Sequence, residues 1–208
     1  MTQYGFYFNS ARCTGCRTCE MACKDYNDTS DGVAFRKVYD YEGGGFTVND
    51  DGSCTTDAWA YHLSISCQHC DYPACVEVCP TTAMRKDDGT GLVSVDDTKC
   101  IGCGYCAMAC PYNAPTVDRE VGHTVKCDGC ASRVAKGLDP ICVDACPLRA
   151  LDFGDIEELR AAYPDAIDGI APMPDASITS PNILINPSPA AKYPGDTTGH
   201  VANPLEVE

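Results

Sequence analysis

Sixteen of the 17 cysteines in the 208-residue chain fall into four groups of four. These are Cys13, Cys16, Cys19 and Cys23; Cys67, Cys70, Cys75 and Cys79; Cys100, Cys103, Cys106 and Cys110; Cys127, Cys130, Cys142 and Cys146. The first and third groups have the spacing C-x2-C-x2-C-x3-C, the second widens one gap to x4, the fourth widens one to x11, and all keep the last x3 step. In a bacterial-ferredoxin run, three such thiolates wrap one 4Fe-4S cube and the fourth reaches a second cube. Zinc uses C-x2-C pairs a dozen or more residues apart, so a third Cys two residues on disfavours it. A disulfide scaffold needs a signal peptide, and the opening "MTQYGFYFNSARC" has neither a basic start nor an apolar stretch. Four 4Fe-4S clusters are therefore the expected cofactors.

Three groups end alike, in Cys79-Pro80-Thr81-Thr82-Ala83, Cys110-Pro111-Tyr112-Asn113-Ala114 and Cys146-Pro147-Leu148-Arg149-Ala150, so C-P-x-x-A reads as a fold repeat. The stretch between the third and fourth Cys reads as a short helix that the proline stops, because its ring removes a donor and clashes with the preceding turn. The first group has Lys24 in place of that proline, a departure that leaves the ligand spacing intact. Cys54 stands alone in "NDDGSCTTD" and reads as a free loop thiol.

Extended stretches must position these loops. "YGFYFN", "WAYHLSIS", "GLVSVDDTKC" and "GHTVKC" each precede a group, and strand, cluster loop and short helix form the ferredoxin unit. Four groups make two such domains, an α+β fold. Val33, Phe35, Tyr39 and Tyr41 alternate, followed by turns at Gly43–Gly45 and Asp51-Gly52, which predicts a β-hairpin insertion. Asp155 with Glu158 predicts a capped helix with Ile156, Leu159 and Tyr163 on its apolar face and Pro164 as its stop. Eight of the 14 prolines lie beyond residue 163. That extended tail either moves in solvent or lies across a partner, and Ile183, Leu184 and Ile185 favour the partner.

The net charge of -15 excludes nucleic acid as a partner, since phosphate binding needs clustered Lys and Arg. No run of 18 apolar residues predicts a membrane span, and no nucleotide loop or nucleophile motif is present. With all sixteen grouped cysteines engaged, no iron is left open for substrate, and fully ligated cubes pass single electrons. His69 is the only histidine inside a cysteine group; a Rieske site needs two, so it reads as an outer or surface histidine. Arg12, Lys24, Lys99 and Lys126 each adjoin a cysteine. They read either as charges that raise cluster potentials or as ordinary surface charges beside loops.

The chain resembles the four-cluster iron-sulfur subunits of molybdopterin oxidoreductases, and most the electron-transfer subunit, the iron-sulfur B subunit, of dimethyl sulfoxide reductase. The likeness is carried by "QYGF", "RCTGCRTCEMACKDY", "LSISCQHC", "CIGCGYCAMACPYNAP", "KCDGCASRVAKG", "PICVDACPLRALDFG" and "GDTTGHVANP". The resemblance implies which thiols share a cube: Cys13, Cys16, Cys19 and Cys146; Cys127, Cys130, Cys142 and Cys23; Cys67, Cys70, Cys75 and Cys110; Cys100, Cys103, Cys106 and Cys79. Cys103, where some relatives have Trp, implies a full cube. One ferredoxin-like domain (1–50 with 115–160) would then hold the other (51–114) as an insertion, with 161–208 as a tail packed on a partner.

The same resemblance implies a non-catalytic relay in anaerobic respiration. Electrons would pass from a quinol-oxidising integral-membrane anchor subunit to a catalytic subunit holding a bis-molybdopterin guanine dinucleotide, and the chain would bind no substrate itself. It implies a place peripheral to the cytoplasmic membrane, on the extracytoplasmic face, reached by co-export with a partner bearing the twin-arginine signal. The shared cysteine frame leaves open another molybdoenzyme, acting on polysulfide, tetrathionate, nitrite or an organic acceptor. A free polyferredoxin remains an alternative too.

Overall fold

The computed structural model describes residues 2–207. β1 (Tyr4–Asn9) runs into the first cysteine loop and α1 (Thr18–Asn27). β2 (Lys37–Gly43), β3 (Phe46–Val48), β4 (Cys54–Thr56) and β5 (Trp59–Ile65) follow, and β5 enters the second group and α2 (Ala74–Glu77). The hairpin of β6 (Met84–Lys86) and β7 (Val93–Val95) delivers the third group and α3 (Tyr105–Ala109). The hairpin of β8 (Thr116–Asp118) and β9 (His123–Val125) delivers the fourth, with α4 (Ala131–Val134) and α5 (Ile141–Asp144). β10 (Leu151–Asp155), α6 (Ile156–Ala162), β11 (Ile183–Asn186), β12 (Gly199–Val201) and α7 (Pro204–Val207) complete the order. Each cysteine group follows a strand, as its flanking sequence predicts.

The prolines act where expected. α2, α3 and α5 each carry the third cysteine of a group and stop before the fourth, ahead of Pro80, Pro111 and Pro147. With Lys24 in that place, α1 runs past Cys23 to Asn27. α1 packs on α5 and α2 on α3, which joins the first group to the fourth and the second to the third.

The main sheet has the order β10-β1-β11, with β1 antiparallel to β10 and parallel to β11. Phe6 and Phe8 lie opposite Phe153 and Leu151 on one side and Ile183 and Ile185 on the other, forming the inner face. Tyr7 and Leu184 point the opposite way, beneath Ile156 and Leu159 of α6. The Asp155 carboxylate caps α6 by accepting from the Glu157 and Glu158 N–H groups, as the sequence predicts.

Several expectations are corrected. Ile183, Leu184 and Ile185 are not offered to another subunit: all three are at most 1% exposed, inside this chain's own main sheet. The rest of the tail also folds back, with β12 pairing along β2 and the Asn203 amide donating to Val38 O. The turn expected at Gly43–Gly45 does not reverse the chain. β2 pairs with β5 from Lys37↔Ile65 to Gly43↔Trp59, and β3 with β4 extend the same hairpin to a tip at 49–53. Gly44 is left-handed, at φ +72, and an added Cβ there would run into the Asp57 carbonyl. Cys54 therefore sits exposed on a short strand rather than in a loop, and a boundary at 50/51 cuts the hairpin tip. Among the described residues no helix is long and apolar enough to cross a membrane.

Candidate iron-sulfur centres

The tight loop opening each group needs one residue with positive φ. Gly15, Gly102 and Gly129 supply it between the first and second cysteines of three groups, at φ +66, +64 and +74. In the second group that place is taken by His69, at φ +46. Glycine has no Cβ to oppose this conformation, whereas histidine does.

The fold then gathers thiols from different groups. Cys13, Cys16 and Cys19 line one apolar cavity together with Cys146. Cys100, Cys103 and Cys106 line a second with Cys79. Cys127, Cys142 and Cys130 lie near enough to raise the Cys23 thiol, and Cys67, Cys110 and Cys70 near enough to raise that of Cys75. In both cavities three cysteines come from one group and the fourth from the group whose helix packs beside it. Cys54 joins none.

The C-P-x-x-A repeat has a local purpose that its spacing does not reveal. Thr82, Asn113 and Arg149, each just before the alanine, are left-handed at φ +50 to +55. The bend turns following amides toward the cysteine sulfur: Met84 N–H donates to Cys79 Sγ at 3.4 Å and Ala150 N–H to Cys146 Sγ at 3.3 Å. In the first group, where α1 continues, the Asn27 amide donates to Cys23 Sγ instead, at 3.5 Å. Thr124 N–H donates to Cys100 Sγ and Gly129 N–H to Cys127 Sγ. Such donors stabilise anionic sulfur.

Several of the bare thiols are reluctant acids. Burial pushes Cys13 and Cys70 up to about 11, Cys75 and Cys130 to about 12, and Cys23 higher still, and neighbouring thiols of the same set add to it. Cys16, nearly free of burial, is instead lowered, chiefly by Thr18. A thiolate quartet here needs cations in its midst, and four-thiolate iron clusters supply them. Among the described residues no three His, Cys, Asp or Glu side chains stand close enough to hold a single metal ion. Four thiols ringing a cavity fit a polynuclear cluster better than a lone ion such as zinc.

The four flanking cations divide sharply. Arg12 is exposed, the Lys24 ammonium donates to the carbonyls of Thr29, Ser30 and Val33, and Lys99 pairs with Asp96 at the surface. Only Lys126 is buried against sulfur. Its ammonium donates to Cys67 Sγ at 3.4 Å, to Cys127 O at 2.6 Å and to Val93 O. Burial alone would lower its pKa, and the thiols of Cys67, Cys127 and Cys75 more than reverse this.

A fifth cation, Arg36, carries no mark in the sequence. It is 2% exposed, donates to Ser64 O, Ser64 Oγ and Ser66 Oγ, and lies over the Phe6 ring. Burial opposes its charge, yet the thiols of Cys142, Cys19, Cys127 and Cys23 outweigh that and raise its pKa. They belong to two different sets. No cysteine adjoins Arg36 in "AFRKV", so spacing held no signal for it.

A model of a 4Fe-4S dicluster domain matches residues 57–156, and a 4Fe-4S binding domain model matches 10–28. The chain is 55% identical over 206 residues to the probable anaerobic dimethyl sulfoxide reductase subunit YnfG of Escherichia coli (strain K12), covering 99% of each. It is 55% identical over 207 residues to the B subunit of the anaerobic dimethyl sulfoxide reductase of Haemophilus influenzae, covering 100% of each. The thiosulfate reductase electron transfer subunit PhsB of Salmonella typhi is 38% identical over 157 residues, 75% of this chain and 78% of that one.

Proposed function

The chain belongs to the family of iron-sulfur electron-transfer subunits represented by the B subunit of dimethyl sulfoxide reductase, and on that footing we propose that it relays single electrons through four 4Fe-4S clusters. The donor is a quinol-oxidising integral-membrane anchor subunit, and the acceptor is a molybdopterin-containing catalytic subunit of an anaerobic respiratory reductase. One observation carries the reading: similarity over the full chain to dimethyl sulfoxide reductase B subunits coincides with sixteen cysteines in four groups of four, of which two mixed sets line apolar cavities.

Each set serves as the complete ligand shell of one cluster: Cys13, Cys16, Cys19 and Cys146; Cys127, Cys130, Cys142 and Cys23; Cys67, Cys70, Cys75 and Cys110; Cys100, Cys103, Cys106 and Cys79. Four-thiolate clusters supply one-electron transfer, and with no ligand position left open the chain binds no substrate and does no chemistry of its own. The sulfur-directed amides, Lys126 and Arg36 hold the anionic ligands in a dry setting, which sets how readily each cluster accepts an electron. The second and third groups form a unit inserted within one built by the first and fourth, supported by the packing of α2 on α3 and of α1 on α5. The complex lies peripherally at the cytoplasmic membrane, on its extracytoplasmic face.

The likeness to a thiosulfate reductase subunit supports the same relay serving a different terminal reductase. Anaerobic purification in mild detergent, with iron, labile sulfide and molybdenum assayed in whatever travels with the chain, tests the reading. About sixteen irons per chain, four per set, together with molybdenum and a hydrophobic subunit are expected. Iron without molybdenum or a partner indicates a free polyferredoxin, and zinc in place of iron overturns the reading.

A further inference from the structure

His69 holds the place that glycine holds in the other three cysteine groups, in the same left-handed conformation. A side chain there is strained and persists only where its surroundings enforce it. They do so here. The His69 ring is fully buried, Nδ1 accepts from the Val93 N–H at 2.9 Å, and the His69 carbonyl accepts from the Asn182 amide at 2.8 Å. With Nδ1 an acceptor, the proton of the neutral ring belongs on Nε2. That nitrogen has no ordinary hydrogen-bond partner and no access to water.

Nε2 lies beside the fourth group, 3.6 Å from where a Cβ on Gly129 would stand, with the Cys127 thiol near it but no hydrogen bond formed to it. The contact is returned from the other side, since Lys126, next to Cys127, donates to Cys67 Sγ in the loop that carries His69. Val93 holds both donors, giving its N–H to His69 and its carbonyl to Lys126.

We propose that His69 is a positioning residue that donates Nε2–H to the Cys127 sulfur across the junction between two thiol sets, raising the reduction potential of the cluster held by Cys127 from within the loop of the neighbouring set. A donor to a ligating sulfur stabilises the more negative, reduced state. The strain of histidine in a glycine position is the structural cost of placing that donor. This inference rests on the iron-sulfur reading above.

The test uses the native complex and two variants, with iron content and the four midpoint potentials read by electron paramagnetic resonance during redox titration. His69→Gly suits the backbone and removes the donor; His69→Gln puts an amide donor back. In His69→Gly, with iron unchanged, one potential of the four should fall by about 59 mV, a tenfold change in the one-electron equilibrium. It should be the potential lost in Cys130→Ser, and His69→Gln should return it. Four unchanged potentials, four that move together, a shift in another cluster, or no recovery with glutamine would each overturn the proposal. If His69→Gly loses iron, His69→Gln decides alone: iron and all four potentials retained support the donor, and iron lost again overturns it. Absence of iron from the unaltered complex would instead sink the iron-sulfur reading itself.

Discussion

The Lys126 ammonium stands 3.4 Å from the Cys67 sulfur, although 59 positions separate the two residues in sequence. It is the one cysteine-flanking cation that the fold buries against a ligand set, while Lys99 remains half in water beside Asp96. Charge acts strongly where solvent is excluded and weakly where it is not. Lys126→Met should therefore lower the midpoint potentials of the clusters held by Cys67 and Cys127, by about 59 mV for each tenfold change in the equilibrium. Lys99→Met should leave all four where they are. Redox titration of both variants checks the contrast, and equal effects would contradict it.

Arg36 faces thiols of two sets, with Ser64 Oγ between its guanidinium and Cys19 Sγ, 3.4 Å from the sulfur. An uncompensated buried cation is costly, so the anionic ligands of both sets are its counter-ions. Arg36→Gln should lower the potentials of the clusters held by Cys19 and by Cys142 together, while Arg36→Lys, which keeps the charge, should come close to the parent values. A shift confined to one cluster would show that the charge is not shared.

Ile185 is fully buried in β11, next to Phe8, in a stretch that composition alone marks as tail. Truncation of such a side chain leaves a cavity that the sheet cannot refill. Ile185→Ala should cost about 3 kcal/mol, read as a fall in the denaturation midpoint of the isolated chain without any partner. Unchanged stability would mean that the tail contributes nothing to this core.

Asp40 accepts from Arg17 at 2.8 Å and lies 2.7 Å from His62 Nδ1. Its burial opposes the charge, but these two partners outweigh it and hold the carboxyl below the usual carboxylate range. A folded pKa below the unfolded one contributes stability above the unfolded value, about 3.9 for Asp, and that contribution disappears as pH falls through the folded value. Asp40→Asn should cost about 0.5 kcal/mol, the scale of a solvent-screened pair, with a deficit that does not shrink between about pH 8 and about pH 5. Melting curves across that range check it; a deficit that already shrinks above pH 5 would assign the effect to another group.

Much of the local design was legible because it depends on near neighbours. Pro80, Pro111 and Pro147 end their helices through a fixed ring and a missing N–H, and α1 runs on where Lys24 replaces proline. Asp155 caps α6 through its own next residues. The cysteine spacing likewise declared iron-sulfur chemistry, since three thiols within a few residues can be wrapped around one cluster by the loop itself.

Residue order thus specifies the chemistry of each loop and the start and stop of its helix. What those loops meet is set by the fold. "NILIN" reads equally well as a partner-facing strip or a core strand, and only the pairing of β11 with β1 chose between them. Arg36 faces sulfurs far away in sequence, so no spacing around it could reveal this, and Lys126, marked by its place beside Cys127, also reaches Cys67 across 59 positions. The reason is physical. Backbone conformation answers to residues within one turn, whereas the field at a sulfur answers to whichever charges and donors the whole fold brings within a few ångströms and shields from water.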